Sequence, residues 1–405
     1  LALVSYPSYD PNRFNEVYRF LREDTDRLPL RFRAVSNRYA PGSTIKPLTC
    51  LSGLMGGQIR LDTREECTGY LFPNVHDRWR CRMVHGTRLR KAHGLVNVVE
   101  ALTGSCNVFM YRTGIAVGVD TLCNFFHDVG FGRLSGTGLR EETTGINPTP
   151  SWLNKVLNRR VTPAHARLFA IGQGEVSVTA VQAANLMATY AAGSYKHVGL
   201  IQGRGDDREW ELPVTPAHWR AIRQGLYAVV NSPFGTATKY ARFEHPRYAL
   251  AGKTGSATTH RRPISFRIAY RDAEGRDTFT VLPAGSRKQA ILDFEALHPQ
   301  VALEPGAVTI QDRWPPVPPA AGGRHADAWF AGYLVPIDGA GRPLLEVMPR
   351  VAFAVLVEYG GSGGRVSGPI GRQVAAILLE TLGDELDADG PAPLGAVAAS
   401  AEARP

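Results

Sequence analysis

Apolar positions in this chain recur at helical spacing in some segments and as short strand-like runs in others. Leu48 to Met55 reads as a buried helix that stops at Gly56 and Gly57. Asn97 and Glu100 form a capping box that opens a short helix through Leu102. Val108–Ile115 and Val119–Val129 resume helical periodicity, which leaves Ser105-Cys106-Asn107 in a connection. A second box, Thr179 with Gln182, starts a helix to Ala192 that Gly193 ends, and another helix covers Pro216 to Val230.

Tyr248–Thr258 reads as a strand holding Gly252 and Gly255, and glycines inside a strand mark close approach of a ligand or another backbone. Strands at Ala328–Val335 and Arg350–Tyr359 and a closing helix at Pro369–Leu382 follow. Leu1–Tyr6 reads as an edge strand ended by Pro7, and Asn15–Arg22 as a short helical piece. Residues 56–94 and 130–150 read as loop. Segment 258–326, rich in Arg, Pro and Gly and containing Pro315-Pro316-Val317-Pro318-Pro319, is long enough to be functional or disordered. Residues 384–405, heavy in Ala, Pro, Asp and Gly, read as a disordered tail.

Composition changes this picture little. With 405 residues, 44% hydrophobic and 20% charged, the chain can build a large core as one large domain or two modest ones. The net charge of +9 comes from scattered arginines, such as Arg88, Arg90, Arg159, Arg160, Arg261 and Arg262, without a tail-like run. That pattern is a solvated surface and argues against a nucleic-acid partner. No stretch approaches the length of a membrane span; the best, Val351–Val357, reads as a strand. A start at Leu1 in an apolar run, without an initiator methionine, leads us to expect a piece of a longer protein whose anchor lies outside the chain.

Five cysteines leave at least one unpaired inside the chain. A bridge between Cys67 and Cys81 would close a loop of about 15 residues, worth about 3 kcal/mol, and would imply an oxidising compartment. A rival reading is metal, since His76, Asp77 and His85 lie near both thiols in sequence, though without a standard zinc spacing. Free thiols are the third alternative.

The candidate chemistry starts at Pro41-Gly42-Ser43-Thr44-Ile45-Lys46-Pro47. Pro47 is tolerable only within the first turn of a helix, which puts Ser43 at or beside its N-terminus. At i, i+3 the hydroxyl and the amine share a face, the geometry of a nucleophile with its own base. An ammonium cannot accept a proton, so Lys46 must be neutral for part of a cycle, and burial or a second cation would lower its pKa. Ser43-x-x-Lys46, Ser105-x-Asn107 and Lys253-Thr254-Gly255 occur in that order on a helix start, an inter-helix connection and a strand.

With those motifs the chain resembles the transpeptidase domain of penicillin-binding proteins over most of its length. Leu3-Val4-Ser5-Tyr6-Pro7 with Asp10-Pro11-Asn12, Ile171-Gly172-Gln173-Gly174, Trp329-Phe330-Ala331-Gly332-Tyr333 and Glu358-Tyr359-Gly360 look like landmarks of the same family. It is similar to the monofunctional class B enzymes, and Cys67–His93 leading into Ser105-Cys106-Asn107 is most similar to their cell-elongation branch.

The resemblance implies an α/β (α+β) architecture, with an antiparallel sheet covered by helices and a helical lobe supplying the first two motifs. It implies a transpeptidase domain over 1–383 with 258–326 inserted in it, at the outer face of the cytoplasmic membrane.

Under that resemblance Ser43 attacks the penultimate D-alanine of a stem peptide while Lys46 takes its proton. Ser105 and Lys253 pass a proton to the leaving amine, the charge of Lys253 helping to keep Lys46 neutral, and Asn107 holds the peptide amide. Thr254 and Ser256, beside Gly255, bind the terminal carboxylate, and the N–H groups of Ser43 and Ser256 form the oxyanion hole. β-Lactams would acylate Ser43, and a membrane glycan polymerase is the expected partner; neither cofactor nor metal is assigned. Cys106 is read as a packing residue, and Glu141 and Glu142 as surface or cap carboxylates.

The rivals are a D,D-carboxypeptidase or β-lactamase, disfavoured because no Glu-x-x-Leu-Asn sequence supplies a hydrolytic glutamate, and a non-catalytic penicillin-binding sensor. Segment 258–326 departs from the family, which has a far shorter connection there.

Overall fold

The helix Lys46–Met55 buries nine of its ten residues, from Lys46 through Leu54. Nine consecutive buried residues cover every side of a helix, so it is enclosed by other elements, and Leu48, Leu51 and Leu54 are each worth about 1.5–3 kcal/mol when fully buried. Helix Asn107–Val117 presses close enough that a Cβ on Gly53 would lie 2.8 Å from Thr113. Thr49 Oγ1 donates to Ala170 O (2.9 Å) just past helix Pro163–Phe169. Helix Pro216–Asn231 packs on helix Val98–Thr103, where Gly225 leaves room for Leu102.

The computed structural model describes residues 2–24, 28–85, 88–89, 92–200, 209–258, 264–272, 275–284, 291, 294–295, 298–304, 306–310 and 326–387. The chain divides into two compact units, one drawn from Leu1–Tyr6, Arg31–Ala257 and Asp327–Pro405, the other from Pro7–Leu30 and Thr258–Ala326.

In the first unit a three-stranded sheet runs Tyr248–Thr258, Ala326–Pro336, Ala352–Val357, the second in the middle. The last two pair antiparallel, Ala328 opposite Val357 and Tyr333 opposite Ala352. Side chains alternate across a strand, and here each face meets its own core. Trp329, Ala331, Tyr333 and Val335, with Ala249 and Ala251, join the helical core. Phe330, Leu334, Tyr248 and Leu250 meet Val229, Val230 and Ala375, the last on the C-terminal helix Gly368–Asp387. Burial on both faces is why these strands read as continuous apolar runs rather than alternating ones.

Both expected capping boxes form. Gly252 sits where its Cβ would lie 2.5 Å from Ala331 O, so close backbone approach explains it. Several expectations change. Residues 2–6 form no strand; they run alongside Ala34, whose N–H donates to Ser5 Oγ (3.1 Å). The sequence reading assigned no helix between 150 and 178, yet Pro150–Leu157 and Pro163–Phe169 are helical, each with a proline in its first turn and a threonine cap. The C-terminal helix runs to Asp387, past the expected boundary at 384; residues 388–405 lie outside those described. Among the described residues no helix is long and apolar enough to cross a membrane.

In the second unit, Ile264–Arg271 lies between Asp277–Ala284 and Val308–Ile310 in an antiparallel sheet. Ile268, Phe294 and Val308 form its small core, so a substantial part of the long connection is folded. Its Pro315–Pro319 run lies outside the described residues.

Candidate active site

Ser43 lies in a 3-10 turn, Gly42–Ile45, that passes into the α-helix at Lys46, whose N–H donates to Ser43 O. In a 3-10 turn residues i and i+3 eclipse, so Ser43 and Lys46 are stacked more directly than an α-turn would allow. From Pro41 to Leu54 Ser43 alone is half-exposed; the rest are buried. Gly42, at φ +55°, donates its N–H to Gly172 O (2.8 Å) and sits in a backbone conformation that strains any side chain, with a Cβ crowded at 3.1 Å from Ser256 O.

The Lys46 amine donates to Ser105 O (2.8 Å), Ser105 Oγ (3.0 Å) and Asn107 Oδ1 (2.7 Å). Ser105 has φ +55°, a strained setting for a non-glycine residue of the kind that clusters at functional sites. Asn107 Nδ2 donates to Arg80 O (3.0 Å), so Asn107 orients the lysine and keeps a second N–H and a second lone pair for other partners. Strand Tyr248–Thr258 carries Lys253, Thr254 and Ser256 past the turn of Ser43; a Cβ on Gly255 would lie 3.0 Å from Pro41 O and 3.1 Å from Thr44 Cγ2. Thus the third motif needs glycine because the first presses against it. Glu141 and Glu142 stand apart; Glu142 accepts from Ser135 N and from Thr137 N and Oγ1, bracing its own loop.

Lys46 and Lys253 are both fully buried. Burial foremost pushes Lys46 down to about 8, opposed by the charge of Cys81 and Cys106 and helped by Arg82. Lys253 falls well below the usual lysine range, first through burial and then through the charge of Lys46. Both amines are thus held below the ordinary lysine range, Lys46 among three polar partners at 2.7–3.0 Å and Lys253 with Thr254 O at 3.4 Å among the described residues.

A family profile described as penicillin binding protein transpeptidase domain matches residues 1–273, more than half of the chain. The chain belongs to the penicillin-binding protein transpeptidase family.

It is similar to the peptidoglycan D,D-transpeptidase MrdA of Escherichia coli K12, 32% identical over 274 residues, 64% of this chain and 42% of that protein. The MrdA of Haemophilus influenzae is 27% identical over 396 residues, 94% of this chain and 51% of that protein. This penicillin-binding protein chain therefore spans about half, or less, of the length of those relatives. Among solved structures, Pseudomonas aeruginosa PBP2 in complex with WCK 5153 shares the fold, with TM-score 0.65 and 24% identity over 96% of this chain and 70% of that one. A peptidoglycan synthase complex that coordinates polymerization and crosslinking contains a chain with TM-score 0.63 and 27% identity, covering 93% of this chain and 53% of that one.

The penicillin-binding protein fold also brings together residues that the sequence left apart. Cys67 and Cys81 are not bridged; all five cysteines are free thiols. Instead Cys67, Cys81 and Cys106 meet His93, their ligating atoms all within 4.8 Å of one another. His93 Nε2 lies 3.1 Å from Gly104 O and donates to it, which turns Nδ1 toward Cys81 (3.3 Å) and Cys67 (3.6 Å). That is the ring orientation a metal-binding imidazole needs, held by a backbone carbonyl, with the metal taking the place of the Nδ1 proton. A tetrahedral ion with Zn–S bonds of about 2.3 Å needs sulfurs about 3.8 Å apart, and Cys81 and Cys106 are 4.0 Å apart. The cluster therefore fits zinc, and Cys106, read from sequence as packing, is a ligand candidate between Ser105 and Asn107.

The sulfur of Cys81 is held below the usual thiol range by its bonds with Cys106 and Cys67 and by His93. His93 is pushed up to about 9: burial works against its charge, and the two thiols outweigh burial. Of the candidates named from sequence, His76 bonds Pro73 O and Asp77 pairs with Arg78, while the His85 side chain lies outside those described.

Glu358, at the end of the last strand, accepts from Tyr39 OH (2.7 Å), Arg33 Nε (3.3 Å) and Asn37 Nδ2 (3.3 Å). The Tyr39 ring meets Trp329 edge-on, and Trp329 Nε1 donates to Ala40 O (3.1 Å). This brace ties the sheet to the segment entering the Ser43 turn. Glu358→Ala is expected to destabilise the unit by about 2 kcal/mol, the scale of a hydrogen bond to a charged group, with Glu358→Gln milder. A urea titration of the three proteins measures it.

Proposed function

We propose that this domain performs the acyl transfer of a peptidoglycan D,D-transpeptidase, cross-linking stem peptides through an ester at Ser43. The observation that carries the reading is a buried amine, Lys46, one turn from a half-exposed serine and bonded to Ser105 and Asn107. Ser43 Oγ attacks the carbonyl of the penultimate D-alanine as its proton passes to the neutral amine of Lys46. The N–H groups of Ser43 and Ser256 hold the oxyanion, each donor worth about 2.7–4 kcal/mol. Collapse breaks the C–N bond, a proton reaches the leaving D-alanine through Ser105, and an amine of a second stem peptide then takes the acyl group and frees Ser43. A β-lactam acylates the same hydroxyl by opening its ring.

The support for an elongation-type role is the similarity to the MrdA proteins. Helicobacter pylori PBP2, which shares the fold, is known in complex with MreC, and a glycan polymerase is the partner we expect here. The domain would work outside the cytoplasmic membrane.

Incubation with a labelled penicillin followed by digestion and mass mapping tests the reading. The expected result is one stable adduct on the peptide containing Ser43. Rapid loss of the label to water points to a β-lactamase, and release of D-alanine without transfer to an added amine points to a carboxypeptidase.

The acylation rate is expected to depend on pH. Lys46 accepts a proton only when neutral, so with its pKa near 8 the rate should rise about tenfold per unit from pH 6 and level off above 8. Penicillin acylation followed from pH 6 to 9 checks this, and a rate that falls across that window would remove Lys46 as the base.

A further inference from the structure

Thr254 and Ser256 are the hydroxyls that the proposed function sets against the terminal carboxylate of the donor peptide, or against the carboxylate of a penicillin. A carboxylate only accepts hydrogen bonds, and a hydroxyl has one proton to give. Each hydroxyl serves only if its proton points into the site and its contact with the protein uses a lone pair.

For Ser256 the contact with the protein does use a lone pair. Its Oγ accepts the backbone N–H of Gly363 (3.1 Å), a donor that cannot reverse roles. For Thr254 the corresponding contact is Thr236, whose Oγ1 lies 2.7 Å from Thr254 Oγ1. Either oxygen can donate in that pair, but only donation from Thr236 leaves the Thr254 proton free. Thr236 is set by the turn that follows helix Pro216–Asn231, where Ala237 N–H bonds Val229 O (3.0 Å). The Gly363-Gly364 segment closes over the same place: a Cβ on Gly364 would lie 2.8 Å from Thr236 O, and one on Gly363 would lie 2.2 Å from Gly255 O.

We propose that Thr236 is a positioning residue for carboxylate recognition: it donates to Thr254 from behind, as the Gly363 N–H does to Ser256, so that both hydroxyl protons face an anionic ligand. The inference rests on the transpeptidase reading above. It makes the preference for a free carboxylate a property of Thr236, which touches no substrate atom.

The test compares acylation of Ser43 by a penicillin with acylation by its methyl ester, in the wild type, Thr236→Val, Thr236→Ser and Thr254→Val. Valine keeps the shape of threonine and removes the donor. The acid-over-ester preference should fall about tenfold in Thr236→Val, the scale of a charge-assisted hydrogen bond held off its line, and return in Thr236→Ser. In a Thr254→Val background, Thr236→Val should change the preference no further. Equal losses for acid and ester, or an unchanged preference in Thr236→Val with a normal melting temperature, overturns the proposal while the Ser43 adduct stands. If Thr236→Val does not fold, Thr236→Ala takes its place under the same criteria. Failure of the wild type to form any adduct sinks the transpeptidase reading, and this inference with it.

Discussion

Ser43→Ala is expected to abolish the penicillin adduct and to lower cross-linking by at least about 10⁴-fold, since removing a nucleophile that works as a unit with its base leaves only binding and electrostatic effects. The fold should survive. Ser43 is the half-exposed position in a buried run, and the 3-10 turn around it is made by backbone bonds and by Thr44, whose hydroxyl donates to Pro41 O (2.8 Å). Alanine therefore removes the reacting oxygen with little loss of packing. The measurement is the intact mass of the protein after penicillin treatment, together with turnover of a donor and an acceptor peptide. A Ser43→Ala protein that still supports normal cross-linking in cells would leave only a non-catalytic, penicillin-binding role.

The second large effect is expected at the Cys67, Cys81, His93 and Cys106 cluster. Protein purified under reducing conditions should carry about one zinc per chain. Chelation should lower the melting temperature by about 10 °C: a ligand present at a thousand times its dissociation constant contributes about 4 kcal/mol, and each kcal/mol moves the melting point of a large domain by about 2–4 °C. Adding zinc back should restore it. Cys81→Ser should lower the melting point as well and remove the response to chelator, because its sulfur stands at the centre of the contacts with His93 and Cys106. A metal-free protein that gains two hydrogens on reduction would instead return the Cys67–Cys81 bridge. Cys106 lies between the two residues that hold the Lys46 amine, so metal loss should slow penicillin acylation too, and stopped-flow comparison of the two forms checks that.

Much of the architecture was legible because it is written in local chemistry. Capping boxes at Asn97 and Thr179, prolines confined to first turns and the glycine stop after Ala192 each act within a few residues, and each forms. The first half of the strand Tyr248–Thr258 was readable because burial on both faces of Tyr248 to Ala251 demands an unbroken apolar run. Residues 2–6 failed as a strand for the complementary reason: β-propensity is realised only where a partner edge is available, and among the described residues they meet a helix start, whose Ala34 N–H donates to Ser5 Oγ.

The sequence alone determined which groups could do the chemistry: a hydroxyl and an amine three residues apart, a serine and an asparagine between helices, and a lysine followed by a hydroxyl and a glycine on a strand. Tertiary structure decided how those groups divide the work. How far each lysine falls below its ordinary range depends on its burial and on partners such as Ser105 O that lie far off in the chain. Whether Cys67 and Cys81 pair depends on the arrival of His93 and Cys106 at the same point, and the direction of the Thr254 proton depends on Thr236. The physical reason is the same in each case: hydrogen bonds, charge and metal geometry act over a few ångströms of space, and only the folded chain sets those distances.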